Sequence, residues 1–120
     1  MTLEEKFGKQ IKAVSNLEGL AKSLQELLSG PYSVWHDGRL YEIKVLVDKI
    51  KDLKIEIRPN DHPPPHFHVV GQSLNASFEI ESGNLLEGQI DPRHHQLVKV
   101  WHRYAKLLLN ETWYRTRPRG

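Results

Sequence analysis

Four prolines crowd into the seven residues from Pro59 to Pro65, and the run His66-Phe67-His68-Val69-Val70 follows at once. Proline has no amide hydrogen and fixes φ at about −65°, so this stretch is barred from the middle of a sheet. It is a stiff loop that delivers His66 into extended backbone with little conformational freedom. Side chains alternate faces along a strand, so His66, His68 and Val70 share one face while Phe67 and Val69 share the other. Phe67 and Val69 are natural core residues. The two imidazoles start about 7 Å apart, twice the rise per residue, and His62 can fold back over them across the proline loop.

Three kinds of chemistry suit the segment. His62, His66 and His68, or Asp61 in place of His62, would bind a divalent metal such as Zn²⁺. His-X-His on a strand lets two imidazoles converge on one ion, and three protein ligands with an open position make the kind of centre a metal-dependent hydrolase uses. The same histidines would otherwise act without metal, as the acid and base of a ribonuclease-like phosphodiester cleavage. An imidazole titrating near neutrality takes a proton from a ribose 2′-hydroxyl while another protonates the leaving oxygen. Nearby Arg or Lys would stabilise the transition-state charge. The third option is structural: the rings cap backbone groups around the proline turn and hydrogen-bond acidic neighbours such as Glu79 and Glu81. All three remain open on the sequence alone.

Hydrophobic periodicity sets the surroundings. Leu17, Leu20, Ala21, Leu24, Leu27 and Leu28 recur at helical spacing, and Ser15 with Glu18 reads as a capping box, giving a helix from about residue 16 to 29 that Gly30-Pro31 ends. Thr2 with Glu5 makes a second box ahead of Leu3, Phe7, Ile11 and Val14, so two short helices, or one broken near Ser15, are expected. Runs at 40–47 and 53–57 read as strands around a charged turn at 48–52, and His36-Asp37-Gly38 reads as a turn. Residues 66–70, 76–80 and 85–90 continue as strands, the last two joined by Glu81-Ser82-Gly83-Asn84. Asp91-Pro92 opens a helix carrying Leu97, Val100, Trp101, Tyr104, Leu107 and Leu108 to about Asn110. His94, His95 and His102 are expected on its solvated face, and His36 in its turn. The fold class is α+β: N-terminal helices, an antiparallel β-meander of about five strands, and a C-terminal helix packed on the sheet. Residues 1–35 form a helical extension, 36–113 the α+β domain, and 114–120 a disordered basic tail.

The net charge of +2 hides an asymmetry. Residues 1–92 carry 10 basic and 14 acidic groups, whereas residues 93–120 carry 7 and 1. Lys99, Arg103, Lys106, Arg115 and Arg117, with Arg119, Trp113 and Tyr114 among them, suit phosphate neutralisation with base stacking, so RNA or DNA contact is an expectation. A solvated face, or docking on an acidic partner, suits them equally. With no cysteine, disulfides, thiol nucleophiles and thiolate metal sites drop out. No apolar run reaches the roughly 20 residues of a bilayer span, and the start is not a signal peptide, so a soluble cytoplasmic protein is expected. Phosphate-binding glycine patterns, a serine elbow and a helical His-Glu-X-X-His are all missing.

The segment Asn60 to Val69, followed by Ala76, Ile80-Glu81-Ser82-Gly83, Leu86-Glu87-Gly88, Trp101 and Trp113, resembles a family of small bacterial proteins known as domain of unknown function 4160. The likeness covers residues 55–113. It implies a compact α+β domain, often encoded beside a second small protein, hence membership of a toxin–antitoxin-like pair with a small cognate protein as partner. His62, His66 and His68 are the hallmark of the motif, without an established role. Residues 1–54 are additional to the pattern, and their leucine-striped helix suits partner binding or homo-oligomer formation. Two expectations of function follow: a toxin-like protein acting on RNA or another phosphate-containing target through the histidines, or a non-catalytic protein- or nucleic-acid-binding module in which they are structural.

Overall fold

Thr2 accepts a hydrogen bond from the Glu5 amide and opens helix α1, Leu3–Lys12. Helix α2, Leu17–Ser29, is capped one residue later than expected: Asn16, not Ser15, accepts from the Gly19 amide at 2.8 Å. Both residue types suit the position, and the extended backbone at Asn16 is what aims its side-chain oxygen at the first turn. These helices belong to a computed structural model that describes residues 1–44 and 49–117. The parts of the predicted 40–47 strand and 48–52 turn that fall on residues 45–48 lie outside the described residues. The described strand there, Leu40–Glu42, pairs with Tyr32–Val34 in a sheet separate from Lys54–Glu56, so the expected pairing of 40–47 with 53–57 is not found among the described residues.

Two short strands, β1 (Tyr32–Val34) and β2 (Leu40–Glu42), pair antiparallel across the expected turn at His36-Asp37-Gly38. Strand β1, three residues long after Gly30-Pro31, carries no periodicity that a sequence reading can detect. Strands β3 (Lys54–Glu56), β4 (His66–Val70), β5 (Asn75–Glu79) and β6 (Leu85–Gln89) form a four-stranded antiparallel sheet in that order. Opposed residues in such a ladder point to the same side. One outward row therefore runs Glu56, His68, Ser77, Glu87 across all four strands, and His66 stands opposite Glu79 in the neighbouring row.

The inward side is apolar. Phe67 stacks on Phe78 with ring centres 5.5 Å apart, and both lie under helix α3 (Pro92–Arg115), where Trp101 meets Phe67 at 5.7 Å. Asp91 caps α3 by accepting from the His94 amide, with Pro92 in the first turn as expected. The helix runs five residues beyond the expected end near Asn110, because Thr112 and Trp113 continue its buried stripe. Residues 114–117 thus complete the helix and its cap instead of starting a free tail, and 118–120 lie outside the described residues. Leu20, Leu24, Leu27 and Leu28 of α2 are fully buried in the same core, each contributing about 1.5–3 kcal/mol. The Trp101 indole N–H donates to Ser23 Oγ on α2 at 3.0 Å. The leucine stripe of α2 therefore faces its own chain.

His102 corrects a second expectation. It is buried, not solvated, and donates through Nε2 to the carbonyl of Ile80. His94 and His95 are also mostly withdrawn from solvent: His94 Nδ1 lies 2.6 Å from Asp91 Oδ2, and the His95 ring packs on Phe78 at 5.7 Å. The apolar stripe of α3 is wider than the spacing of its leucines indicates, so neighbouring ring-bearing positions are drawn inward with it. Among the described residues, no helix is long and apolar enough to cross a membrane.

Candidate metal centre

The proline loop begins with a turn. The Asp61 amide donates to the Arg58 carbonyl at 3.1 Å, with Pro59 at the second turn position, which its fixed φ favours. This turn brings Asp61 back over strand β4. One carboxylate oxygen, Asp61 Oδ2, then lies 2.7 Å from His68 Nε2 and 3.1 Å from His66 Nε2. The two imidazoles are 5.2 Å apart between ring centres. Their side chains are 14 % and 13 % exposed and that of Asp61 24 %, so the group is partly screened yet reachable.

The hydrogen bonding of His66 sets its tautomer. Its Nδ1 lies 2.8 Å from the Pro64 carbonyl, which can only accept, so the Nδ1 position carries a proton. In the neutral ring the opposite nitrogen, Nε2, then presents its lone pair to the Asp61 carboxylate, and that juxtaposition calls for a proton or a cation between them. A backbone carbonyl behind one imidazole nitrogen is also the usual outer support of a metal-bound histidine. Asp61, His66 and His68 each offer one ligand atom, all within 4.8 Å of one another. Tetrahedral Zn²⁺ ligands at about 2.0–2.1 Å from the ion stand roughly 3.3 Å apart. The 3.1 Å contact of His66 approaches that spacing, while the 2.7 Å contact of His68 would open to admit the ion. Burial pushes the Asp61 carboxyl up. The hydrogen bond from His68 and the charges of His68, His66 and Arg58 more than offset that and hold it below the ordinary carboxylate range.

The group opens on a hollow of about 510 Å³ whose remaining walls include Arg58, His62, Ser77, Leu86 and Glu87. His62, one of the three predicted ligands, is exposed and lines this hollow without joining the converging atoms; Asp61 takes that place. Glu79 and Glu81, expected as histidine partners in a structural arrangement, do not bond the rings: His66 and His68 turn to Pro64 and Asp61, and Glu81 pairs with Lys106 at 3.2 Å.

The predicted phosphate-binding set is dispersed. Lys99 and Arg115 are exposed on α3. Arg103 pairs with Glu4 of α1 at 3.0 Å, and Lys106 with Glu81. Arg117 donates to the carbonyls of Asp61 and Arg58, at 3.0 and 2.7 Å, and so reaches the loop itself. Two further residues also belong here: Arg58, expected only as an outward strand residue, and Trp113, expected with the basic set and not against the histidines. Arg58 lines the hollow, and Trp113 places its ring 5.5 Å from that of His66. The Arg58-Pro59-Asn60-Asp61 turn signal could have pointed to Arg58; nothing local in the sequence links Trp113 to a loop fifty residues away.

Fold and site together define a small α+β protein bearing an Asp-His-His cluster on the outer face of an antiparallel sheet. The chain belongs to the family described as Domain of unknown function (DUF4160), whose model matches residues 53–114. No curated protein and no solved structure matches it.

Proposed function

We propose that Asp61, His66 and His68 bind one divalent transition-metal ion of the Zn²⁺ class, and that the protein is a metal-dependent hydrolase acting on RNA or another phosphate-containing target. The observation that carries this reading is the His66 ring, whose proton is engaged by Pro64 so that Nε2 converges with His68 Nε2 on one oxygen of Asp61. Two imidazoles and a carboxylate favour Zn, Fe, Ni or Cu over Mg or Ca. A bound ion with an open position polarises a phosphoryl oxygen and lowers the pKa of bound water. Arg58 and His62, at the wall of the hollow, would face the substrate's negative charge. In this reading the protein is the toxin-like half of a two-protein module, its small partner protein holds it inactive, and exposed Lys99 and Arg115 remain for longer-range contact with nucleic acid.

The test is metal-free protein dialysed against Zn²⁺. One ion per chain is expected, with none retained by a folded His68→Ala variant. No stoichiometric binding by the parent protein would overturn the metal centre. Expression in cells should arrest growth, and His66→Ala or His68→Ala should relieve the arrest. Folded variants that stay toxic would remove the histidines from the activity.

A second reading, a non-catalytic binding module with structural histidines, is favoured by the way Asp61 fastens the loop to β4 and Arg117 fastens it to α3. It predicts no metal and no cleavage, and a domain that melts when either histidine is replaced, since an unmade buried hydrogen bond costs about 1–3 kcal/mol.

A further inference from the structure

Arg117 stands just beyond the end of α3 and outside the segment matched by the family model. Its guanidinium donates three ways: Nε to the Trp113 carbonyl at 3.0 Å, one terminal nitrogen to the Asp61 carbonyl at 3.0 Å, and the other to the Arg58 carbonyl at 2.7 Å. The same group lies 3.5 Å above the Trp113 ring, which packs against the His66 ring at 5.5 Å between centres, tilted by 48°. Arg58 and Asp61 are the two ends of the turn closed by the Asp61 amide. One planar cation therefore grips both ends of the turn that carries the Asp61 carboxylate, and through Trp113 it backs the ring of His66.

We infer that Arg117 is a positioning residue for the Asp61–His66–His68 centre, coupling the seating of the α3 end to occupancy of that centre. The inference rests on the metal reading above. Asp61 sits on an irregular loop, where a carboxylate has the freedom to move away from two imidazoles fixed on a strand. Arg117 removes that freedom by bonding backbone atoms, which leaves the carboxylate oxygens to His66, His68 and the ion. Outer-shell supports of this kind typically change metal affinity by about 10–100-fold. Lysine cannot substitute, because a single ammonium neither spans two carbonyls in a fixed fork nor lies flat on an indole. The coupling is reciprocal: what Arg117 adds to metal binding, metal binding returns to the docking of the helix end.

The experiment measures Zn²⁺ affinity by competition with a chromophoric chelator for the full chain, Arg117→Ala, Arg117→Lys and the remote, exposed Lys9→Ala control. Amide hydrogen exchange is followed at Asp61 and at Thr116 and Arg117. Arg117→Ala should weaken Zn²⁺ binding by about 10–100-fold, Arg117→Lys by nearly as much with its melting temperature kept, and Lys9→Ala not at all. Zn²⁺ should slow exchange at residues 116–117 in the parent protein. Parent-like affinity in either folded Arg117 variant overturns the inference; if Arg117→Ala does not fold, Arg117→Lys decides. Should the parent protein itself bind no Zn²⁺, the metal reading fails separately. Faster exchange of the Asp61 amide in the Arg117 variants would then uphold the positioning role, and unchanged exchange would end it.

Discussion

The imidazole of His102 rests against Gly83, its Nδ1 3.0 Å from where a β-carbon of residue 83 would stand. Gly83 also holds φ at +75°, in the left-handed region that side-chain-bearing residues avoid. The β5–β6 turn is thus shaped by a ring delivered from a helix, and that ring in turn ties α3 to the Ile80 carbonyl. Gly83→Ala should cost about 1–3 kcal/mol, combining backbone strain with displacement of the ring. His102→Ala should cost a similar amount, about 1–3 kcal/mol, by leaving a buried carbonyl without its donor. Urea denaturation checks both. Because the two residues touch, the double variant should lose less than the sum of the single ones, and strict additivity would contradict the contact.

Acid should weaken the fold in two stages. Burial pushes His102 below the usual histidine range, and burial does the same to His94 despite the opposing charge of Asp91. The unfolded chain then takes up protons that the native one refuses. Stability is complete above about pH 6.5 and falls as pH drops below it, by at most about 1.4 kcal/mol per pH unit for each histidine. Asp61 acts lower down. Its carboxyl is held below the ordinary range, so its contribution is present above about pH 4 and is lost on further acidification. Calorimetric melting temperatures across this range should show both declines, the upper one shallower in His102→Gln. A melting temperature that is flat from about pH 7.5 to 5.5 would contradict the burial of both rings.

The sheet that carries the site was readable because a strand-breaking run and a strand periodicity meet there. Prolines excluded a strand up to Pro65, and alternation from His66 placed Phe67 and Val69 inward, as found. The Asp91-Pro92 start of α3 was equally plain, since its chemistry is local. What escaped depends on contacts far apart in sequence. The burial of His102 is set by Gly83 and Ile80, nearly twenty residues away or more, the role of Trp113 by His66 on a strand almost fifty residues earlier, and that of Arg117 by a loop over fifty residues earlier. The choice between His62 and Asp61 turned on one hydrogen bond of the Arg58–Asp61 turn, which rotates Asp61 toward the strand while His62 stays at the rim.

That choice is directly testable. Asp61→Asn keeps the size of the side chain but removes its charge, and it should lower Zn²⁺ affinity by at least the 10–100-fold typical of lost metal-site support. His62→Ala should leave affinity within a few-fold of the parent, because the ring is exposed and outside the converging set. Equilibrium dialysis of both variants decides the matter. The reverse order of effects would return His62 to the ligand set and make Asp61 a loop fastener.

Helix α1 is held to α3 by Glu4, and a tyrosine reports on it. Glu4 accepts from the Tyr104 hydroxyl through one carboxylate oxygen and from Arg103 at 3.0 Å through the other. At the same crossing a β-carbon on Gly8 would come within 2.5 Å of the Tyr104 ring, so the helices meet as closely as a glycine allows. Burial, then the hydrogen bond to Glu4 and its charge, push the Tyr104 phenol up to about 12. A raised phenol pKa means that the folded chain favours the neutral form. The stabilisation is therefore present below about pH 10 and is lost as pH rises through about 10–12. In an ultraviolet phenolate titration of the four tyrosines, one should ionise after the rest, and Glu4→Gln should bring it forward. Simultaneous ionisation of all four in the parent chain would mean that α1 does not dock on α3 through Glu4.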